Sequence, residues 1–110
     1  MTEVSRLERQ LEDSKKLIHL RDQAIKLYDN PEFKSLIVKG FCTEDCARFA
    51  QESGDPTLSA EQRADALGMA QASGHLRRFL STTVVMGNTA ANQKEDLEAA
   101  IEEARQEAGE

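Results

Sequence analysis

By residue type and spacing, Cys42 and Cys46 are the residues of this chain best suited to chemistry. Four residues apart, they place both thiols on one face of a helical segment. Two thiolates can hold zinc, but a tetrahedral site needs two further ligands, and the only histidines, His19 and His75, each stand alone. A disulfide between residues four apart in a regular helix has poor geometry. The pair therefore reads as small core side chains. His75 has no acid within a helical turn to orient it. Arg77 and Arg78 read as ion-pairing groups aimed at a neighbouring helix or subunit, because two arginines are a weak phosphate footprint in an acidic chain. Glu95, Asp96, Glu98, Glu102 and Glu103 read as the solvated side of a helix. There is no glycine-rich phosphate loop, nucleophile elbow or metalloprotease helix. No catalytic, cofactor-binding or metal-ligating residue is assigned, and no enzyme is expected.

The elements that would position these residues are helical. From Ser59 to Gly109 there is no proline, and alternating steps of three and four residues trace one register: Ala66, Met69, Ser73, Leu76, Leu80, Thr83, Gly87, Ala90, Lys94, Leu97, Ile101, Ala104 and Ala108. Nearly all are apolar or small, which is the signature of a helix with a coiled-coil-like seam. Ser59 and Gln62 form a capping box at its start. Gly87-Asn88 is a candidate stop, but the seam crosses it without a phase slip, so a continuous helix is expected. Small seam residues such as Gly87, Ser73 and Ala90 suit a close crossing by another helix. Residues 3–28 carry a matching seam of Val4, Leu7, Leu11, Ser14, Ile18, Arg21, Ile25 and Tyr28. Leu17, Leu20, Ala24 and Leu27 form a second apolar line beside it, which predicts wider burial of the C-terminal half.

Asn30-Pro31 ends this helix and caps the next. One short helix is expected from Glu32 to about Lys39, stopping at Gly40, and another from about Thr43 to Glu52. The fold class is therefore all-α: a long helical hairpin of residues 3–28 and 60–108 with two short connecting helices.

Composition agrees with this reading. A chain of 110 residues with 31 % charged and 5 % aromatic side chains suits helices that bury a stripe and solvate the rest. Of the net charge of −6, five units fall on residues 94–110, which carry seven acids against two bases. Such an end repels nucleic acid. No apolar run approaches the ~20 residues of a membrane span, and the N-terminus lacks the apolar core of a cleaved leader, so a soluble chain is expected. Two cysteines imply a reducing compartment.

A helix of ~45 residues spans ~68 Å, whereas the ~25-residue first helix covers only ~38 Å. The reading that follows is a helical domain of residues 1–93 and an acidic extension, 94–110, that projects or frays. Leu97 and Ile101, continued by Ala104, would then form an uncovered stripe for a partner.

Gly40-Phe41-Cys42, Cys46-Ala47-Arg48, the run from Asp55-Pro56 to Ala66-Leu67, and Gly74-His75-Leu76-Arg77-Arg78-Phe79-Leu80 together resemble a family of small helical proteins encoded among the head and virion genes of tailed bacteriophages. The resemblance covers roughly residues 5–105 and carries no catalytic signature. It implies a structural or assembly component of a phage particle, present in the virion and in the host cytoplasm during assembly. Its partners would be copies of itself, as a homo-oligomer, or a larger capsid, portal or tail protein. Leu97, Ile101 and Ala104 would make the contact, and Arg77 and Arg78 would orient it. The alternative is an acidic phage regulator that binds and inhibits a host nucleic-acid-binding enzyme through its last seventeen residues.

Overall fold

The computed structural model describes residues 2–109, and among them there are helices and no strand. In chain order these are α1 (Glu3–Asp29), α2 (Pro31–Phe33), a π-helical segment (Lys34–Asp45), α3 (Cys46–Ser53) and α4 (Ala60–Glu107). The chain is all-α, with α1 and the long α4 as the arms of a hairpin.

The helix ends form as their residues dictate. Asn30 lies in the extended region, and its side chain accepts a hydrogen bond from the Phe33 amide at 2.8 Å, with Pro31 in the first turn. At the start of α4 the capping box is reciprocal: the Gln62 amide donates to Ser59 Oγ at 3.1 Å, and the Ser59 amide to Gln62 Oε1 at 3.0 Å. α4 then runs unbroken through Gly87-Asn88.

Two compact units divide the chain, one ending at Ile25 and resuming at Thr82, the other being Lys26–Ser81. The first is an antiparallel pair of helical segments. Arg105 pairs with Glu8 near one end, and Arg21 Nη1 donates to Asn88 Oδ1 at 3.2 Å near the other. Val4, Leu7, Ser14 and Ala24 of α1 are buried, as are Gly87, Ala90 and Ile101 of α4. The tightest point is Gly87, where an added Cβ would lie 2.1 Å from Arg21 Cβ. Here the glycine is required by a neighbour's position, not by its own dihedrals.

That close approach also corrects the seam of α1. Ile25 was expected inside, but it is 43 % exposed and Ala24 is buried instead. Helices pressed together at Gly87 leave room one turn beyond Arg21 for a methyl group and not for a sec-butyl chain. The expected wider burial fails in the same region: Leu20 and Leu27 are exposed.

A second correction concerns the C-terminal segment. Helix α4 continues to Glu107, and Ile101 is 5 % exposed, with Leu97 and Ala104 half-buried. The stripe at Leu97 and Ile101 is thus not uncovered. The physical reason is the direction of pairing: α1 begins where α4 ends, so the last turns of α4 lie along the first turns of α1. The length by which α4 exceeds α1 sits at its beginning, in the other unit.

In that second unit the expected stop at Gly40 does not occur. Helical hydrogen bonding runs from Pro31 to Ser53. The Cys46 amide donates to Phe41 O and Thr43 O, and the Thr43 hydroxyl donates to Val38 O at 2.8 Å. The wide π turns keep the backbone donors satisfied across the glycine. Both thiols reach the main chain of α4, with Cys42 Sγ 4.0 Å from Ser73 O and Cys46 Sγ 3.7 Å from Ala70 O. Ser73, buried beside them, donates its own hydroxyl to Ala70 O at 2.8 Å.

The turn before α4 is held by Asp55, whose carboxylate accepts from the Thr57 hydroxyl at 2.7 Å and the Thr57 amide at 2.9 Å. These bonds hold its pKa below the ordinary value of 3.8.

Three outcomes are expected. Gly87→Ala lowers stability by about 1–3 kcal/mol, because the new methyl meets the base of Arg21 and not a flexible chain end. Gly68→Ala, with nothing within 4 Å of the added Cβ, raises it by up to about 1 kcal/mol. Urea unfolding of the two variants measures both, and like signs would contradict this packing. Because the folded pKa of Asp55 is depressed, its contribution is complete above pH 3.8 and is lost as pH falls from there through the lower folded value. The stability gap between wild type and Asp55→Asn therefore closes in acid, as paired thermal melts at neutral and low pH will register.

Candidate docking surface

The residues with chemical potential are not assembled into a reactive site. His19 and His75 are both exposed. Cys42 is buried and Cys46 half-buried, and both are free thiols. Among the described residues, no group of three or more His, Cys, Asp or Glu side chains is arranged to hold a metal ion. No helix of the described residues is long and apolar enough to cross a membrane.

The five residues expected at a partner contact divide between two environments. Ile101 lies in the core of the first unit, and Leu97 and Ala104 lie half-buried along the same stripe. Leu97 lines one end of a groove between α1 and α4, with Gln10, Asp13, Ser14, Gln93, Asp96 and Ala100. Arg77 and Arg78 belong to the second unit and are exposed, and among the described residues neither makes an ion pair.

What is uncovered lies elsewhere. Further along the same side of the helix pair, the groove is lined by Leu17, Val85, Met86, Thr89 and Ala90. Val85 is 59 % exposed and Met86 46 %, while Leu20, one turn from Leu17, is 48 % exposed. Helix geometry explains the exposure. The stripe of α4 facing α1 is filled by Gly87 and Ala90; Met86, one position from Gly87, points some 100° to the side, and Val85, two positions away, some 200°. Val85 and Met86 are therefore apolar residues on a flank that α1 does not reach.

The α4 side of this surface is uncharged, whereas Leu20 of α1 shares its depression with Glu12, Lys15, Lys16 and His19. Residues 79–93 contain no Asp, Glu, Lys or Arg, in a chain that is 31 % charged. Only Gly87 and Ala90 of residues 82–93 are buried, and seven of those twelve are exposed. A solvated helix normally carries charge on its outer side, whereas charged residues are depleted at the centre of protein interfaces. The sequence signal for this surface was the absence of charge, which a search for apolar periodicity passes over. Of the seam residues that satisfied the period, Ala66, Ser73, Leu80, Gly87, Ala90 and Ile101 are intrachain core, while Met69 and Ala108 are exposed.

No protein-family model, curated protein sequence or solved structure matches this chain. The described residues form an all-α protein whose α4 carries an uncharged, partly apolar stretch beside Leu17 of α1.

Proposed function

We propose that this chain is a non-enzymatic assembly protein that works by docking a helical face on another protein surface. The observation that carries this reading is the run without charge from Phe79 to Gln93, on which Val85 and Met86 lie exposed beside Leu17 of α1. Water-facing helix turns free of charge are costly for solubility and useful where a neighbour excludes water. Burying such a face contributes about 25 cal/mol per Å² of apolar area, so affinity comes from area and repetition and not from a few strong polar contacts. The setting, a bacteriophage particle with a capsid, portal or tail protein beside it, rests on the resemblance alone. Arg77 and Arg78, exposed on the other unit, are suited to steering such an encounter and setting its orientation.

In this reading the contact is made by Val85 and Met86 with Leu17 beside them, while Leu97 and Ile101 contribute by holding the helix pair together. Two substitutions separate these roles. Met86→Glu is expected to leave helicity and melting temperature nearly unchanged and to remove the chain from the sedimenting particle fraction of producing cells. Ile101→Ala creates a cavity and costs about 2–5 kcal/mol of stability, which thermal melts would register. Immunoblots of gradient fractions give the docking answer. A Met86→Glu chain that sediments with the particles at wild-type levels, or a wild-type chain found in no assembly, would contradict the proposal.

A further inference from the structure

We infer that copies of this chain associate head to tail, the acidic last turns of α4 in one docking on a basic zone around Arg77 and Arg78 of the next. The contact does not rest on the uncharged stretch of α4, and its failure leaves the docking reading above standing. Three observations carry it.

The first is the zone itself, which lies within the second unit. In a chain with 20 acids among 110 residues, residues 33–43 and 66–81 hold none. They hold Lys34, Lys39, Arg77 and Arg78, all exposed, and among the described residues none of the four makes an ion pair. The two stretches are neighbours. Cys42 Sγ reaches Ser73 O and Cys46 Sγ reaches Ala70 O, which sets them antiparallel, so the turns before Cys42 lie level with the turns after Ser73. Lys34 and Lys39 are five residues apart, one step of π hydrogen bonding, and so share a side of their segment. Arg77 is one α-helical turn beyond Ser73. Cations gathered without counter-charge repel one another and gain from an anionic neighbour.

The second is a matching surface present on every copy. Residues 95–107 of α4 hold six acids, Glu95, Asp96, Glu98, Glu102, Glu103 and Glu107, against one base, Arg105, which already pairs with Glu8. All six acids are exposed, and among the described residues only Glu98 makes an ion pair, with Lys94. The arginines and these acids belong to one unbroken helix, which does not fold back on itself. They therefore meet only across two copies.

The third is the range of the forces. A net charge of −6 repels copies at a distance, but at about 0.1 M ionic strength charges more than about 10 Å apart are largely screened. Local complementarity then decides the contact. A nucleic acid carries phosphates along its whole length and is repelled by the acids elsewhere on the chain, whereas a short acidic turn is not. A contact between two unlike surfaces repeats from copy to copy, closing into a ring or continuing as an open chain.

The test is sedimentation equilibrium of the purified full chain from about 1 µM to about 1 mM, a range that brackets weak association, at about 0.1 M and about 0.5 M salt. Multiples of the 12.2 kDa chain are expected at the lower salt and a monomer at the higher. Arg77→Glu with Arg78→Glu is expected to weaken association at least about tenfold, by setting like charge against like, and Glu102→Lys with Glu103→Lys to do the same. Each double variant keeps one working surface, so their equimolar mixture forms a dimer and stops there. Circular dichroism checks that both stay helical. Should either lose helix, Arg77→Gln with Arg78→Gln and Glu102→Gln with Glu103→Gln provide the reading. A wild-type monomer at every concentration overturns the inference, as does association indifferent to salt or to both charge reversals, or a mixture of the variants that stays monomeric. A monomer that instead binds poly-glutamate or a DNA duplex through Arg77 and Arg78 assigns the zone to another anion and overturns it too. None of these results alters the outcome of Met86→Glu on particle sedimentation, which tests the docking reading by itself.

Discussion

The first unit depends on an absence: Gly87 has no side chain, so the stem of Arg21 can lie against the backbone of α4. With the axes held that close, only small residues fit between them nearby, and Ser14, Ala24 and Ala90 fill the space. The guanidinium of Arg21 is not wasted in this arrangement. It turns outward to Asp22 Oδ1 at 2.9 Å and Asn88 Oδ1 at 3.2 Å, while its methylenes cover the glycine. Surface ion pairs such as Arg105 with Glu8 add little energy beside this packing, though they mark the antiparallel register.

A close crossing has a consequence for what remains outside. Two helices in tight contact share a narrow stripe, so bulky apolar residues that flank it are held away from the partner helix. Leu20, Val85 and Met86 are in that position. In the second unit the same economy of size appears, with Cys42 and Ser73 buried together and their polar atoms satisfied by main-chain carbonyls of α4. The thiols serve there as compact side chains that can donate weakly to a carbonyl, a use that needs neither a metal nor a bridge.

Much of the fold could be read from local signals. Asn30-Pro31 and Ser59 with Gln62 acted as helix caps because such bonds are formed within one turn and owe nothing to the rest of the chain. The long seam was legible as well: Ala66, Ser73, Leu80, Gly87, Ala90 and Ile101 are all buried. Gly40 was misread because a glycine's helix cost is small, about 1 kcal/mol, and the continuous hydrogen bonding around Thr43 and Cys46 outweighs it. Helix lengths alone do not say which end of α4 lies free. The pairing of Glu8 with Arg105 does, and it moves Leu97 and Ile101 from an imagined projecting stripe into intrachain packing. The candidate surface was less legible, since it is defined by missing charge over residues 79–93 and by geometry that only the folded pair reveals.

The function proposed for this chain requires that the uncharged stretch of α4 meet another surface. Methyl-resolved NMR of the full chain, followed as the sedimenting particle fraction is added, addresses this residue by residue. Val85 and Met86 signals are expected to shift and broaden together with Leu17, while Leu36 and the buried Ile101 hold their positions. Shifts centred on Leu36 or Ile101, with Val85 and Met86 unmoved, contradict it.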